Sequence, residues 1–220
     1  GLIYAWLPTE TIANDIYEEK NLHPYYYLDL EVTADQTDFS IPAGKSFSNI
    51  CEFAQKLASA PLVHQPGEKW TYGVGMDLLG CIIEKASGMT FGNFMKENIF
   101  NPLGMKDTSF TVPESEINRF TSMYTHKRAS VGDIQREFND EIFPDDLILM
   151  DSYEESPYLK MNKVEDGGSG LISTAEDYLK FGQMLNDRGS FGGKTILSEE
   201  AFAMLSESYM ENFGLLGVVS

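Results

Sequence analysis

A change of hydrophobic period near Asp77 limits what this chain can fold into more than any other feature of the sequence. From Pro66 to Val74 a turn signal leads into residues that alternate as in a short extended segment. After this segment, apolar residues recur at the spacing of one helix face: Leu78, Leu79, Ile82, Ile83 and Ala86. With Asp77 as the N-cap and Ser87-Gly88 as the stop, the sequence predicts a helix over residues 77–87.

Three further windows have the same helical period. Residues 91–99 follow Thr90, a good N-cap, and end in the turn Pro102–Met105. Residues 49–59 are predicted to begin at a cap formed by Ser46 or Ser48, and residues 174–186 at an S-x-x-E capping pattern, Ser173–Glu176. Tyr178, Leu179, Phe181, Met184 and Leu185 are expected to face inward in the last helix.

Taken together, the residues from Pro66 to Phe110 resemble the serine β-lactamase and penicillin-binding-protein-like family, especially its class C β-lactamase and family VIII carboxylesterase branches. The matching positions, in one order and spacing, are Pro66, Gly67, Trp70, Tyr72, Leu78, Leu79, Gly80, Ile82, Ile83, Glu84, Ser87, Gly88, Phe91, Phe94, Ile99, Phe100, Pro102, Leu103, Gly104, Met105, Asp107, Thr108 and Phe110. A second block, residues 167–185, is similar to the glycine-rich loop and following helix of that family.

The resemblance implies an α+β fold of the β-lactamase/transpeptidase type, in which a helical region is inserted between strands from both chain ends. It implies that this chain holds mainly the inserted region: one unit, residues 1–220, mostly helical with little sheet and truncated at both ends. It also implies a serine hydrolase that uses an acyl-enzyme and needs no metal and no organic cofactor.

The catalytic unit of that family has a serine three residues before a lysine on one helical turn. No S-x-x-K occurs in these 220 residues, since Ser156 to Lys160 and Ser190 to Lys194 are each one residue too long. The chain alone is therefore expected to be inactive, with the nucleophile absent from it.

Tyr72 is the residue to which the resemblance assigns a catalytic role, as the phenol that helps to deprotonate the serine. It lies just before the predicted helix N-terminus, whose partial positive charge favours a phenolate.

Two residues after Tyr72, β-lactamases and peptidases of the family have an asparagine that holds the substrate amide, and here Val74 takes its place. Valine cannot form that hydrogen bond, so the substrate is expected to be an ester. Val74 and Gly168, in the glycine-rich loop, are the predicted substrate-binding residues.

Alternatives remain open at this stage. The complete protein can be a true β-lactamase or a D-alanyl-D-alanine peptidase, and a non-catalytic binding module on the same fold is a further hypothesis. The last hypothesis is an acidic helical domain that matches the family pattern by accident. The partner expected for an enzyme is a small-molecule ester or β-lactam.

Composition excludes some classes of function. The formal net charge of −18 argues against binding to nucleic acid and to anionic membrane surfaces. No apolar run is long enough to span a bilayer, and no leader peptide is visible, so the sequence does not decide between bacterial cytoplasm and export. Helices without their sheet strands would expose apolar surface, which predicts self-association.

The remaining motifs are weak. Cys51 and Cys81 do not form a C-x-x-C pair and are interpreted as two reduced thiols on helix faces, with a disulfide as the alternative for an exported protein. The carboxylates between Arg136 and Lys160 do not have the spacing of an EF-hand and are interpreted as a solvated acidic loop rather than a metal site. Lys194-Thr195 is followed by Ile196 and is rejected as the Lys-Thr-Gly motif of the family.

Overall fold

The structure is a computed structural model that describes residue 19 and residues 47–62, 64–70, 73–126, 147–154, 156–159, 164–168 and 170–207. The chain divides into two compact units, Gly1–Phe110 with Asn162–Ser220, and Thr111–Met161. This division does not test whether the two fold together, so the single unit predicted for residues 1–220 stays a prediction.

The first unit is helical. In chain order it contains α1 (Ile50–Leu57), α2 (Gly75–Ser87), α3 (Phe91–Met95), a π-helical turn (Lys96–Phe100), α4 (Asn101–Leu103), α5 (Ala175–Asn186) and α6 (Glu199–Ser206). A hairpin of two short strands, β3 (Ser190–Phe191) and β4 (Lys194–Thr195), follows α5. All four predicted helical windows are confirmed, and so is the low sheet content among the described residues.

The second unit contains the other two strands. A 3-10 helix, Glu114–Arg119, precedes β1 (Met123–His126), which pairs antiparallel with β2 (Leu147–Asp151) and places Tyr124 opposite Leu149. A 3-10 turn, Pro157–Leu159, follows, and the N–H of Val112 donates to the carbonyl of Tyr158 at 2.8 Å.

Several helix caps are residues that the local sequence pattern favours, and three of the predicted N-caps are not the caps in the structure. Thr90 and Ser198 accept N–H bonds as N-caps, and Gly88 ends α2 with a φ of 72°, which glycine adopts without strain. The cap of α1 is Asn49 rather than Ser48, and that of α5 is Thr174 rather than Ser173. The third exception, Asp77, is buried inside α2, which begins at Gly75 after the N-cap Val74.

Helices α1 and α2 are joined by a disulfide between Cys51 and Cys81, so the interpretation as two reduced thiols is wrong in this structure. The Cα atoms are 4.8 Å apart, within the range that a disulfide needs. Gly80, next to Cys81, allows the close packing expected of it, since a Cβ there would lie 3.3 Å from the ring of Phe91 and 3.5 Å from Ile50.

The core of the first unit uses fewer of the predicted apolar positions than the helical pattern suggests. Phe100, Leu103, Met105 and Met184 form one buried cluster, with Phe181 and Leu185 packed against it. On α2, however, the buried residues are Asp77, Gly80 and Cys81, whereas Leu79 and Ile82 are 49% and 52% exposed. On α5, Tyr178 and Leu179 are 70% and 60% exposed, so the prediction that they face inward is wrong.

Candidate active site

The segment around Tyr72 leads directly into α2. Thr71 and Tyr72 lie outside the described residues, and so does Ser46, but Gly73 and Val74 are described. Val74 is the N-cap of α2, and its carbonyl accepts the N–H of Leu78 at 3.3 Å. Its side chain is fully buried. The structure thus describes the helix start that follows Tyr72 but not Tyr72 itself, so the catalytic role of Tyr72 stays a prediction.

The glycine-rich loop lies against the first turn of α2. The N–H of Gly168 donates to Asp77 Oδ1 at 3.1 Å and to Asp166 Oδ1 at 2.7 Å. The loop is closed by the N–H of Gly170, which donates to the carbonyl of Asp166 at 3.3 Å. The structure thus brings Gly168 to the helix that Val74 caps.

Two glycines allow this close approach. A Cβ on Gly167 would lie 2.3 Å from the carbonyl oxygen of Met76, and one on Gly170 would lie 2.6 Å from the carbonyl oxygen of Asp166. Real Cβ atoms do not tolerate such distances to backbone atoms, so a larger residue in place of Gly167 would move the loop away from α2, and one in place of Gly170 would distort the loop itself.

Asp77 and Asp166 form a buried carboxyl pair that the sequence reasoning missed. Asp77 is 0% exposed and Asp166 is 1% exposed. Burial, followed by the neighbouring carboxyl of Asp166, raises the pKa of Asp77 to about 8, although the N–H of Gly168 acts in the opposite direction. The available signal was an aspartate directly before two glycines, D-G-G-S-G, which matches no metal or phosphate motif.

A second buried aspartate fixes α5, the helix that follows the loop. Asp177 Oδ2 accepts the N–H of Asp107 at 2.7 Å and the hydroxyl of Thr108 at 3.0 Å. Its Oδ1 accepts Lys180 Nζ at 2.9 Å, and the same Nζ donates to the carbonyl of Gly104 at 2.9 Å. This network connects the P-L-G-M-x-D-T turn to the first turns of α5, the helix that the S-T-A-E-D segment begins.

The two segments are also connected through their backbones. Ser109 and Ile172 exchange both N–H bonds as an isolated antiparallel bridge, at 3.1 and 2.9 Å. The described loop residues, 166–168 and 170, are therefore attached to α2, and the chain continues from them through the bridge at Ile172 into α5.

In the described part of the chain, no three His, Cys, Asp or Glu side chains are grouped so as to hold a metal ion. Much of the acidic segment after Arg136, residues 137–146, lies outside it. The search for a membrane-spanning helix among the described residues found none of sufficient length and apolar character.

Comparisons with known proteins agree with this arrangement. Protein Rv1367c of Mycobacterium tuberculosis is 32% identical over 149 residues, which are 68% of this chain and 33% of that protein. Esterase EstB of Burkholderia gladioli is 30% identical over 129 residues, 59% of this chain and 32% of its own length. The chain thus spans about a third of the length of these curated relatives.

Solved structures show the same fold. Simvastatin synthase (LovD) from Aspergillus terreus superposes with a TM-score of 0.57 at 21% identity, over 92% of this chain and 39% of that chain. EstCE1, described as a hydrolase with promiscuous acyltransferase activity, gives 0.55 at 20% identity over 92% of this chain and 46% of its own.

The family model described as Beta-lactamase matches residues 24–215. This range contains both the helix start after Tyr72 and the glycine-rich loop that the structure packs against it. The chain therefore belongs to the serine β-lactamase and penicillin-binding-protein-like family and has its fold.

Proposed function

We propose that the chain is the helical part of a serine hydrolase that cleaves carboxylic esters through an acyl-enzyme. The observation that favours esters is Val74, which stands where β-lactamases of the family have an amide side chain and is fully buried at the N-cap of α2. A buried isopropyl group offers no hydrogen bond to a substrate amide. Relatives named as an esterase and as acyltransferases support the same class.

In the proposed mechanism, a serine from an S-x-x-K segment outside these 220 residues attacks the ester carbonyl. Tyr72, as a phenolate, takes the hydroxyl proton while the bond from serine oxygen to carbonyl carbon forms. The carbon–oxygen bond to the alcohol then breaks, and the alcohol leaves with that proton. Water then attacks the acyl carbonyl and gives a proton to Tyr72. The bond from the carbonyl carbon to the serine oxygen breaks, the serine takes that proton, and the carboxylic acid leaves.

The start of α2 supports the role of Tyr72 in this scheme. Partial positive charge at a helix N-terminus stabilises a nearby anion, typically by about 0.3–1 kcal/mol at exposed sites. Gly168 is proposed to line the substrate side of the site, and Val74, whose side chain is fully buried, to line it through its backbone. A β-lactamase or D-alanyl-D-alanine peptidase is the alternative reaction, and a non-catalytic binding module is the alternative role.

The proposal predicts which substrate is turned over first. The 220-residue chain alone should hydrolyse neither p-nitrophenyl butyrate nor nitrocefin above background, because it has no activated serine. The protein that joins this chain to its native flanking segments should hydrolyse p-nitrophenyl butyrate, and nitrocefin much more slowly. Faster turnover of nitrocefin would favour the β-lactamase, no turnover of either would favour the binding module, and an active isolated chain would refute the missing nucleophile.

Replacement of Tyr72 tests its assignment in the same longer protein. Tyr72→Phe should lower kcat by about 100-fold or more with little change in KM, because general-base help is typically worth that much and the ring remains in place. Tyr178→Phe is a matched control, since that tyrosine is 70% exposed on α5. An unchanged kcat in Tyr72→Phe would show that another group deprotonates the serine.

A further inference from the structure

Asp77 and Asp166 place two buried carboxyls side by side, although they come from distant parts of the chain. Both carboxyls are almost completely buried, and both accept the N–H of Gly168, at 3.1 and 2.7 Å. Because one N–H reaches both carboxyls, the two side chains lie next to each other. Two ionised carboxylates this close together and away from water repel each other, which favours a state in which one of the pair is protonated.

The charged neighbours of the pair favour this protonated state. In the described part of the loop, Asp166 is the charged group that faces Asp77, and it disfavours a second negative charge. Glu165, the next residue, instead accepts the N–H of Gly92 at the start of α3. From α5, Lys180 is directed to Asp177, Glu176 and the carbonyl of Gly104.

The pair also lies where the glycine-rich loop contacts the first turn of α2, so a shift of the loop would affect that turn. A Cβ on Gly167 would collide with the carbonyl of Met76, so only glycine allows this approach, and the N–H of Gly168 attaches the next residue of the loop to Asp77. Met76 and Asp77 belong to the first turn of α2, which Val74 caps. The loop and the helix start that follows Tyr72 therefore form one unit, joined by these contacts.

We propose that Asp77 and Asp166 share one proton and act as positioning residues that hold the Gly167–Gly168 turn against the start of α2. This inference rests on the proposed function where it concerns catalysis, because Tyr72, the proposed base, lies two residues before Val74 in the sequence. The pair does not touch the reacting atoms in this scheme. Its protonated carboxyl replaces electrostatic repulsion by a hydrogen bond, and so keeps both segments together.

The first test needs no activity. Asp77→Asn keeps the shape of the side chain, and its amide can donate to the Asp166 carboxylate and accept from Gly168, which replaces the shared proton by a permanent donor. The wild-type folded state holds a proton that the unfolded chain releases near pH 4, so wild-type stability falls as the pH rises from about 4 to about 8. Asp77→Asn should lose this part of the dependence.

The measurement is urea unfolding of the 220-residue chain from pH 5 to 8. The ratio of unfolding constants, wild type over Asp77→Asn, should rise by up to about tenfold per pH unit. Asp187→Asn, an exposed aspartate at the end of α5, is the control and should keep the wild-type slope. A parallel pH profile for wild type and Asp77→Asn would overturn the shared proton.

The second test concerns positioning in the longer, active protein. Asp77→Ala should lower kcat/KM by about tenfold or more, mainly in kcat, whereas Asp77→Asn should stay within about threefold of wild type at pH 7. Asp77→Asn as impaired as Asp77→Ala would overturn the positioning role. If the longer protein hydrolyses no ester, the proposed function fails, and the unfolding profiles still decide the shared proton.

Discussion

Asp77 and Asp177 show how partners decide the behaviour of one residue type in one helical position. Each is the third residue of its helix, and each is buried. Asp77 faces another carboxyl, and its pKa is raised. Burial alone would raise the pKa of Asp177 as well, but hydrogen bonds from Lys180, the N–H of Asp107 and Thr108 together lower it below its ordinary value.

The lowered pKa of Asp177 gives a stability prediction. A carboxyl with a depressed folded-state pKa stabilises the fold above the unfolded value, near pH 4, and loses that contribution as the pH falls through the folded value. Asp177→Ala should therefore cost about 1–3 kcal/mol at pH 7, since it leaves buried donors unsatisfied. Urea unfolding at pH 7 and pH 3 should show a smaller difference from wild type at the lower pH. An equal loss at both values would assign the effect to packing.

At this scale the sequence predicted what depends on near neighbours. Thr90 and Ser198 are caps because their partners lie three residues further on. Asp77 is of a residue type that favours the N-cap position. Its neighbours in the structure, Gly168 and Asp166, nevertheless come from a loop that is distant in the sequence. No spacing rule contains that information, so the cap prediction failed and the carboxyl pair was not found.

The helices themselves were predictable, because their period is a local property of the sequence. Which face of each helix is buried depends on neighbours instead. Helix α2 turns Gly80 and Cys81 toward α1 and α3, and its most apolar stripe, with Leu79 and Ile82, is exposed. The same packing explains Cys51–Cys81, since two cysteines on different helices meet only through the arrangement of those helices.

The disulfide gives a prediction for the α1–α2 pair. It closes a loop between residues 30 positions apart, for which the chain-entropy estimate is about 3–4 kcal/mol of stabilisation. Cys51→Ser with Cys81→Ser should lower the urea midpoint accordingly, and treatment with a reductant should do the same to the wild type. Two alkylatable thiols in the native, unreduced chain would contradict the bond.

For the whole molecule, the exposed helix faces and the net charge act in opposite directions. Leu79 and Ile82 on α2, and Tyr178 and Leu179 on α5, leave large apolar side chains at the surface of the chain. Isolated apolar residues are normal on a surface, but helix faces of this kind favour association. The formal charge of −18 opposes it by repulsion between copies.

We therefore expect the 220-residue chain to self-associate, and to do so more strongly at high salt, because salt screens the repulsion and leaves apolar contacts intact. Sedimentation velocity at rising protein concentration and at two ionic strengths measures this directly. Leu79→Glu with Ile82→Glu should shift the distribution toward monomer and reduce binding of an apolar dye. Asn93→Glu, at an exposed position on α3, adds charge without removing apolar surface and is the control. A wild-type chain that stays monomeric and binds no dye under all these conditions would show that these faces do not drive association.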